Sequence, residues 1–134
     1  MQFKIPISYR QNSKRRFENM IKVLEKLEDF VAIIKEDKNV LVDFYATWCG
    51  PCRMMGRVME EIEDEEKDIT FLKVDTDEFP EIAQQFGVMS IPMMVPFKNG
   101  TRVHAVIDGA KEEVIMGALP EETFKEVLND TFRA

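Results

Sequence analysis

A nearly unbroken apolar run over residues 39–46, with the sequence NVLVDFYA, constrains the fold of this chain most strongly. The run is rich in Val, Leu and aromatic residues, and it is far shorter than the roughly 20 residues of a membrane span. Such a run is typical of a strand that is buried on both faces of a sheet. We therefore expect an α/β fold in which this strand occupies the interior of the sheet.

The rest of the chain alternates between the patterns of strands and helices. Short apolar runs predict strands at residues 20–24, 39–46, 69–74, 93–97 and 102–107. An Asn99-Gly100 turn joins the last two as a hairpin. Apolar spacings of three and four predict helices at residues 25–36, 50–66, 75–86 and 120–132. This order implies a central mixed β-sheet flanked by helices on both faces.

The length and charge of the chain indicate one compact domain with an acidic surface. A chain of 134 residues, 45% hydrophobic and 32% charged, is enough for a single globular core. The formal net charge is -7, but all of the first five charged residues are basic, so residues 18–134 carry -12. An acidic body repels a phosphate backbone, so we expect no nucleic-acid partner. The absence of a long apolar segment leads us to expect no membrane partner either.

We divide the chain into a basic N-terminal extension, residues 1–17, and one domain, residues 18–134. The extension contains no acidic residue, which leaves two interpretations, an organellar transit segment or a flexible arm. Few serines and no clear amphipathic helix favour the flexible arm. We expect a cytoplasmic monomer, with an organellar location as the alternative.

The only two cysteines, Cys49 and Cys52, directly follow the apolar run in the segment YATWCGPC. Tetrahedral zinc needs four ligands, and the only histidine, His104, is distant in the sequence, so we expect no metal. A redox pair fits better, because Cys49 lies where a strand ends and a helix begins, and unpaired helix amides favour a thiolate. Cys52 falls in the first helical turn, within reach of a disulfide. We predict that Cys49 is the nucleophile and Cys52 the resolving thiol.

Asp43 lies inside the apolar run, between Val42 and Phe44. Burial of a carboxyl group raises its pKa, which would suit Asp43 to accept the proton that Cys52 loses when it attacks Cys49. The alternative is a purely structural role at the end of the strand.

Several motifs that occur in the same order resemble the thioredoxin family. They span residues 21–132 and include VLVDFYATWCGPC, FLKVDTDEFPEIAQQFGV, SIPMMVPFKNG and GALPEETFKEVL. The resemblance implies the thioredoxin fold and a thiol-disulfide oxidoreductase that reduces disulfides in partner proteins. It also implies that a thioredoxin reductase, which uses FAD and NADPH, recharges the dithiol, while this chain binds no cofactor of its own.

The resemblance also implies roles for residues outside the dithiol. Lys73 would pair with the buried acid Asp43. The Ile91-Pro92 bond would be cis, with the Ile91 backbone opposite the cysteines, ready to pair with an extended substrate. The implied substrate-contacting residues are Trp48, Gly50, Pro51, Ile91, Pro92, Met93, Gly117 and Ala118. The Gly-Pro pair between the cysteines resembles a reducing member of the family more than an oxidising isomerase.

The sequence departs from the family pattern at three places. Met93 follows Pro92 where threonine is usual, and Pro96 interrupts an expected interior strand, so we expect a bulge there. Roughly eight added residues between Gly100 and Gly117 predict an extended hairpin or extra loop away from the dithiol. Two other functions stay open at this point: a binding or assembly module with incidental redox activity, and a disulfide oxidase or isomerase.

Overall fold

The computed structural model describes residues 20–134, so the predicted basic extension lies outside the described residues. Eight strands lie within this range: β1 (Ile21–Val23), β2 (Asn39–Tyr45), β3 (Thr70–Asp75), β4 (Met93–Lys98), β5 (Thr101–Arg102), β6 (Ala105–Ile107), β7 (Ala110–Glu112) and β8 (Ile115–Met116). Four α-helices accompany them: α1 (Asp29–Glu36), α2 (Gly50–Ile62), α3 (Pro80–Gln85) and α4 (Glu121–Phe132). None of these helices is long and apolar enough to cross a membrane.

Six of the strands form one central mixed sheet. Its order is β1-β3-β2-β4, and both β5 and β8 pair with the outer edge of β4. β1, β3 and β2 run parallel to one another, whereas β4 is antiparallel to β2. The strand formed by the apolar run, β2, is therefore interior, as predicted.

The side chains of β2 alternate between two hydrophobic cores, one on each face of the sheet. Val40, Val42 and Phe44 pack in the core that includes residues of α1 and α3. Leu41 packs in the core that includes residues of α2 and α4. The predicted α/β architecture with helices on both faces is confirmed.

Pro96 does not produce the predicted bulge, so that prediction is wrong. The pairing of β4 with β2 runs without interruption from Asn39 opposite Lys98 to Phe44 opposite Met93. The Pro96 carbonyl accepts a hydrogen bond from the Val103 amide at 3.0 Å. The backbone nitrogen and carbonyl of one strand residue point to the same side of the strand. The amide hydrogen that Pro96 lacks would therefore point to the outer edge of β4, so its absence removes no hydrogen bond to β2.

The predicted single strand over residues 102–107 is also wrong, because the chain leaves the sheet after Arg102. Only β5 pairs with β4 there, while β6 and β7 form a separate two-stranded hairpin. The chain then returns as β8, which places Met116 opposite Met93. Of the two predicted forms, an extended hairpin or an extra loop between Gly100 and Gly117, the structure shows the second, because the added residues form a separate hairpin and do not extend the Asn99-Gly100 hairpin.

The β6-β7 hairpin packs against α4. The Val106 amide donates a hydrogen bond to Thr131 Oγ1 at 2.9 Å, and Ala105 and Ile107 join the core beneath α4. None of the described hairpin residues belongs to the cluster of Ala46, Cys49, Cys52 and their neighbours Tyr45 and Ile91.

Candidate redox site

Cys49 is the N-cap residue of α2, at the point where the chain leaves β2. Its extended backbone begins the helix, and its Sγ accepts a hydrogen bond from the Cys52 amide at 3.2 Å. Pro51 lies in the first turn, where backbone amides have no partner within the helix, so its missing amide hydrogen costs no hydrogen bond. The amide and the helix dipole both favour negative charge on this sulfur once the disulfide is reduced.

Cys49 and Cys52 form a disulfide, with their α-carbons 5.2 Å apart. Cys49 is 5% exposed and Cys52 is 2% exposed, so Cys52 is the more deeply placed of the two. The carbonyl oxygen of Ile91 lies 3.9 Å from Cys49 Sγ. The Ile91–Pro92 bond is cis, as predicted.

Asp43 lies on the face of the sheet that α2 covers, because Val42 and Phe44 on either side of it point to the opposite face. The side chain is fully buried, and neither of its carboxylate oxygens has a hydrogen-bond partner in the described part of the chain. Burial raises the pKa of Asp43 to about 7, although the nearby positive charge of Lys73 lowers it. Asp43 can therefore exchange a proton near neutral pH.

Lys73 is the neighbour of Asp43 in the pairing of β2 with β3. No hydrogen bond joins the two side chains, so the pairing that the resemblance implied takes the form of an electrostatic effect only. The Lys73 ammonium instead lies 4.7 Å from the centre of the Tyr45 ring, within the range of a cation–π contact. A solvent-open cavity of about 240 Å³ is lined by Tyr45, Ala46, Thr47, Cys52, Arg53 and Lys73.

A family model described as Thioredoxin matches residues 20–121. The chain belongs to the thioredoxin family. A thioredoxin of Porphyra purpurea is 44% identical over 98 residues, which are 72% of this chain and 83% of that protein. A bifunctional thioredoxin reductase/thioredoxin of Mycobacterium leprae is 47% identical over 83 residues, 61% of this chain and 18% of that protein. A solved mutant thioredoxin from Halobacterium salinarum aligns with a TM-score of 0.71 at 27% identity, covering 85% of this chain and 92% of that one.

Family membership and the disulfide together establish the chemistry of this thioredoxin-family chain. It is a thiol-disulfide oxidoreductase, and its redox-active centre is the Cys49–Cys52 pair. As a protein-disulfide reductase, it passes two electrons from its dithiol to a disulfide in another protein.

Asp77 is a residue of this thioredoxin site that the sequence analysis missed. Its Oδ2 accepts a hydrogen bond from Trp48 Nε1 at 2.8 Å, and its amide donates to Asp75 Oδ1 at 2.9 Å. Trp48 is 68% exposed, so this bond fixes a large aromatic side chain that would otherwise be free at the surface. A signal was available: β2 and β3 are parallel neighbours, so the loops that follow them meet at one edge of the sheet.

The second side of the expected contact surface comes from the loop after β8. Gly117 has φ 79°, a left-handed conformation that favours glycine, and its amide donates a hydrogen bond to the Pro92 carbonyl at 2.8 Å. Ala118 is partly buried against the core beneath α2 and α4. This bond holds the residues after β8 directly beside the Ile91-Pro92 segment.

Met93, one of the expected substrate-contacting residues, has a buried side chain. Its side chain is 4% exposed and packs in the core on the face of α1 and α3. The Met93 side chain therefore offers little surface to a docked protein, and a contact between Met93 and a substrate stays a prediction. Among the described residues, the exposed methionines are Met54, Met89 and Met116.

Proposed function

We propose that Cys49 is the attacking thiolate and Cys52 the resolving thiol of this reductase. Cys49 attacks one sulfur of a partner disulfide, which forms a mixed disulfide and releases the other sulfur as a thiolate. Cys52 then loses its proton and attacks Cys49 Sγ, which releases the second partner thiolate and leaves the Cys49–Cys52 disulfide. The observation that carries these unequal roles is the position of Cys49 as the N-cap of α2, with the Cys52 amide on its sulfur.

We assign the proton released by Cys52 to Asp43. The support for this is threefold: the pKa of Asp43 is raised to about 7, its oxygens are unpartnered, and α2 carries Cys52 over the same face of the sheet. Lys73 modulates the step through its charge. A carboxylate that titrates near neutral pH is well matched to this transfer.

We propose that the partner protein docks as an extended segment across the cis-proline loop. Backbone groups of Ile91 would pair with it, as in strand addition. Trp48, Gly50 and Pro51 would contact it from one side, and Pro92, Gly117 and Ala118 from the other. The exposed indole of Trp48, fixed by Asp77, supports this surface.

We propose that a thioredoxin reductase carrying FAD and using NADPH restores the dithiol. In the Mycobacterium leprae relative, as its name states, the two activities are joined in one protein.

We place the reaction cycle in the cytoplasm, because its reducing conditions suit a dithiol that donates electrons. We propose that the chain acts as a monomer.

The test is reductase-coupled reduction of insulin, with NADPH consumption as the readout. We expect turnover by the wild type, none by Cys49→Ser, and none by Cys52→Ser. The two variants should differ in one respect: only Cys52→Ser should accumulate a mixed disulfide with insulin that a reducing gel resolves. Turnover by Cys49→Ser, or a mixed disulfide trapped through Cys52 alone, would contradict the assignment of roles.

A further inference from the structure

Gly56 occupies an unusual position on α2. It lies one helical turn after Cys52, and both residues are buried against the sheet. Glycine inside a helix is less favourable than alanine. The backbone of Gly56 is not left-handed, so its conformation does not explain why glycine occupies this position.

The surroundings of Gly56 supply a reason for the missing side chain. A Cβ built on Gly56 would lie 3.2 Å from Lys73 Nζ, and no other atom is among its near contacts. The same ammonium lies 4.7 Å from the centre of the Tyr45 ring. The bare backbone of α2 and the Tyr45 ring therefore together define the place where the Lys73 charge sits.

We propose that Gly56 is a positioning residue for the redox reaction, because its missing Cβ lets the Lys73 ammonium lie under α2 where its charge acts on Asp43. This rests on the proposed function in so far as Asp43 serves Cys52. Lys73 and Asp43 are paired in register on neighbouring strands, on the face that α2 covers. The open space beside Lys73 is the cavity shared with Tyr45 and Cys52, whose lining does not include Asp43.

The substitution Gly56→Ala should therefore displace the ammonium toward this solvent-open cavity. Water then screens the charge, its attraction for the Asp43 carboxylate weakens, and the pKa of Asp43 rises. We expect the midpoint of the Asp43 titration to rise by about 0.5 pH unit, a fraction of the roughly one to three units by which a neighbouring opposite charge lowers a carboxyl pKa. At pH 7 this would lower the ionised fraction of Asp43, the form that can accept the Cys52 proton, about twofold.

The test is a titration of the Asp43 side-chain carboxyl by carbon-13 NMR in the oxidised protein. It compares four proteins: the wild type, Gly56→Ala, Lys73→Met and the double variant, with Asp43→Asn to assign the signal. We expect Gly56→Ala to raise the midpoint when Lys73 is present and to leave it unchanged when Lys73 is Met. An unchanged or lowered midpoint with Lys73 present, or an equal rise in both backgrounds, would overturn the inference.

The same variants separate this inference from the proposed function. If Asp43→Asn leaves the pH profile of insulin reduction unchanged, Asp43 is not the proton acceptor, whatever the NMR midpoints show. If Asp43→Asn changes the profile and Gly56→Ala moves no midpoint, only the role of Gly56 fails. Alanine favours the helix over glycine, so Gly56→Ala should unfold at a higher urea concentration than the wild type, which verifies that the variant is folded.

Discussion

At the scale of single residues, Asp43 makes the stability of the protein depend on pH. Its pKa is raised from 3.8 to about 7 in the folded chain. The folded state therefore holds the proton where the unfolded chain has released it, so the contribution of Asp43 to stability is fully present below pH 4 and is lost as the pH rises toward 7. A pKa difference of this size corresponds to roughly 4 kcal/mol.

Asp43→Asn should remove this dependence, because an amide does not titrate. We expect the free energy of unfolding of the variant, relative to that of the wild type, to increase by roughly 4 kcal/mol between pH 4 and pH 8. Urea unfolding of both oxidised proteins across this range measures the change. A difference that stays constant with pH would contradict the raised pKa.

Site residues could be predicted from the sequence where their interactions are local, and they were missed where the interactions join distant segments. Cys49, Cys52 and Asp43 lie within one strand-to-helix segment, so spacing and apolar neighbours were enough to indicate their burial and order. Asp77 and Gly56 depend on contacts with Trp48 and Lys73, which belong to other elements of the fold. No pattern within a single segment records such contacts.

At the scale of elements, Pro96 illustrates the same distinction. The sequence shows that β4 lacks one amide donor, but only the sheet shows which edge lacks it. Because that edge is the outer one, β4 keeps its full pairing with the interior strand β2, and the irregularity appears instead as the gap between β5 and β8. The chain in this gap forms the β6-β7 hairpin.

The β6-β7 hairpin depends on α4 for its anchorage, and this gives an element-scale prediction. Thr131→Val keeps the shape of the side chain but removes the acceptor for the Val106 amide. Leaving a partly buried donor unpaired should destabilise the protein by about 1–2 kcal/mol in urea unfolding. Since none of the described hairpin residues belongs to the cysteine cluster, insulin reduction should keep the wild-type rate.

Thr131→Ser is the matched control, because serine retains the hydroxyl acceptor. It should lose less stability than Thr131→Val. Equal losses in the two variants would mean that the methyl group and not the hydrogen bond holds the hairpin, and a slower insulin reduction would place the hairpin in the docking surface.

At the scale of the whole molecule, Arg133, which follows α4, forms hydrogen bonds with residues in the middle of the chain. Its guanidinium donates to both carboxylate oxygens of Asp68, at 3.0 and 2.7 Å, and to Glu66. Glu66 is 5% exposed, whereas Asp68 is largely open to solvent. The contact closes the core beneath α4, since Phe132 just before Arg133 is buried there.

Arg133→Met should therefore leave a buried carboxylate without its cation, at a cost of about 1–3 kcal/mol in urea unfolding at pH 7. Lys125→Met is the comparison, because Lys125 contacts the more exposed acids Glu65, Glu121 and Glu122, so its loss should destabilise the protein less than the loss of Arg133. Arg133 also holds the pKa of Asp68 below its ordinary value. A lowered carboxylate pKa stabilises the folded state above the ordinary Asp range, so the deficit of Arg133→Met should shrink as the pH falls below about 4. Equal losses for the two variants at pH 7 would show that this ion pair contributes no more than a surface contact. A deficit that does not shrink in acid would show that the loss does not come from the charge of Arg133.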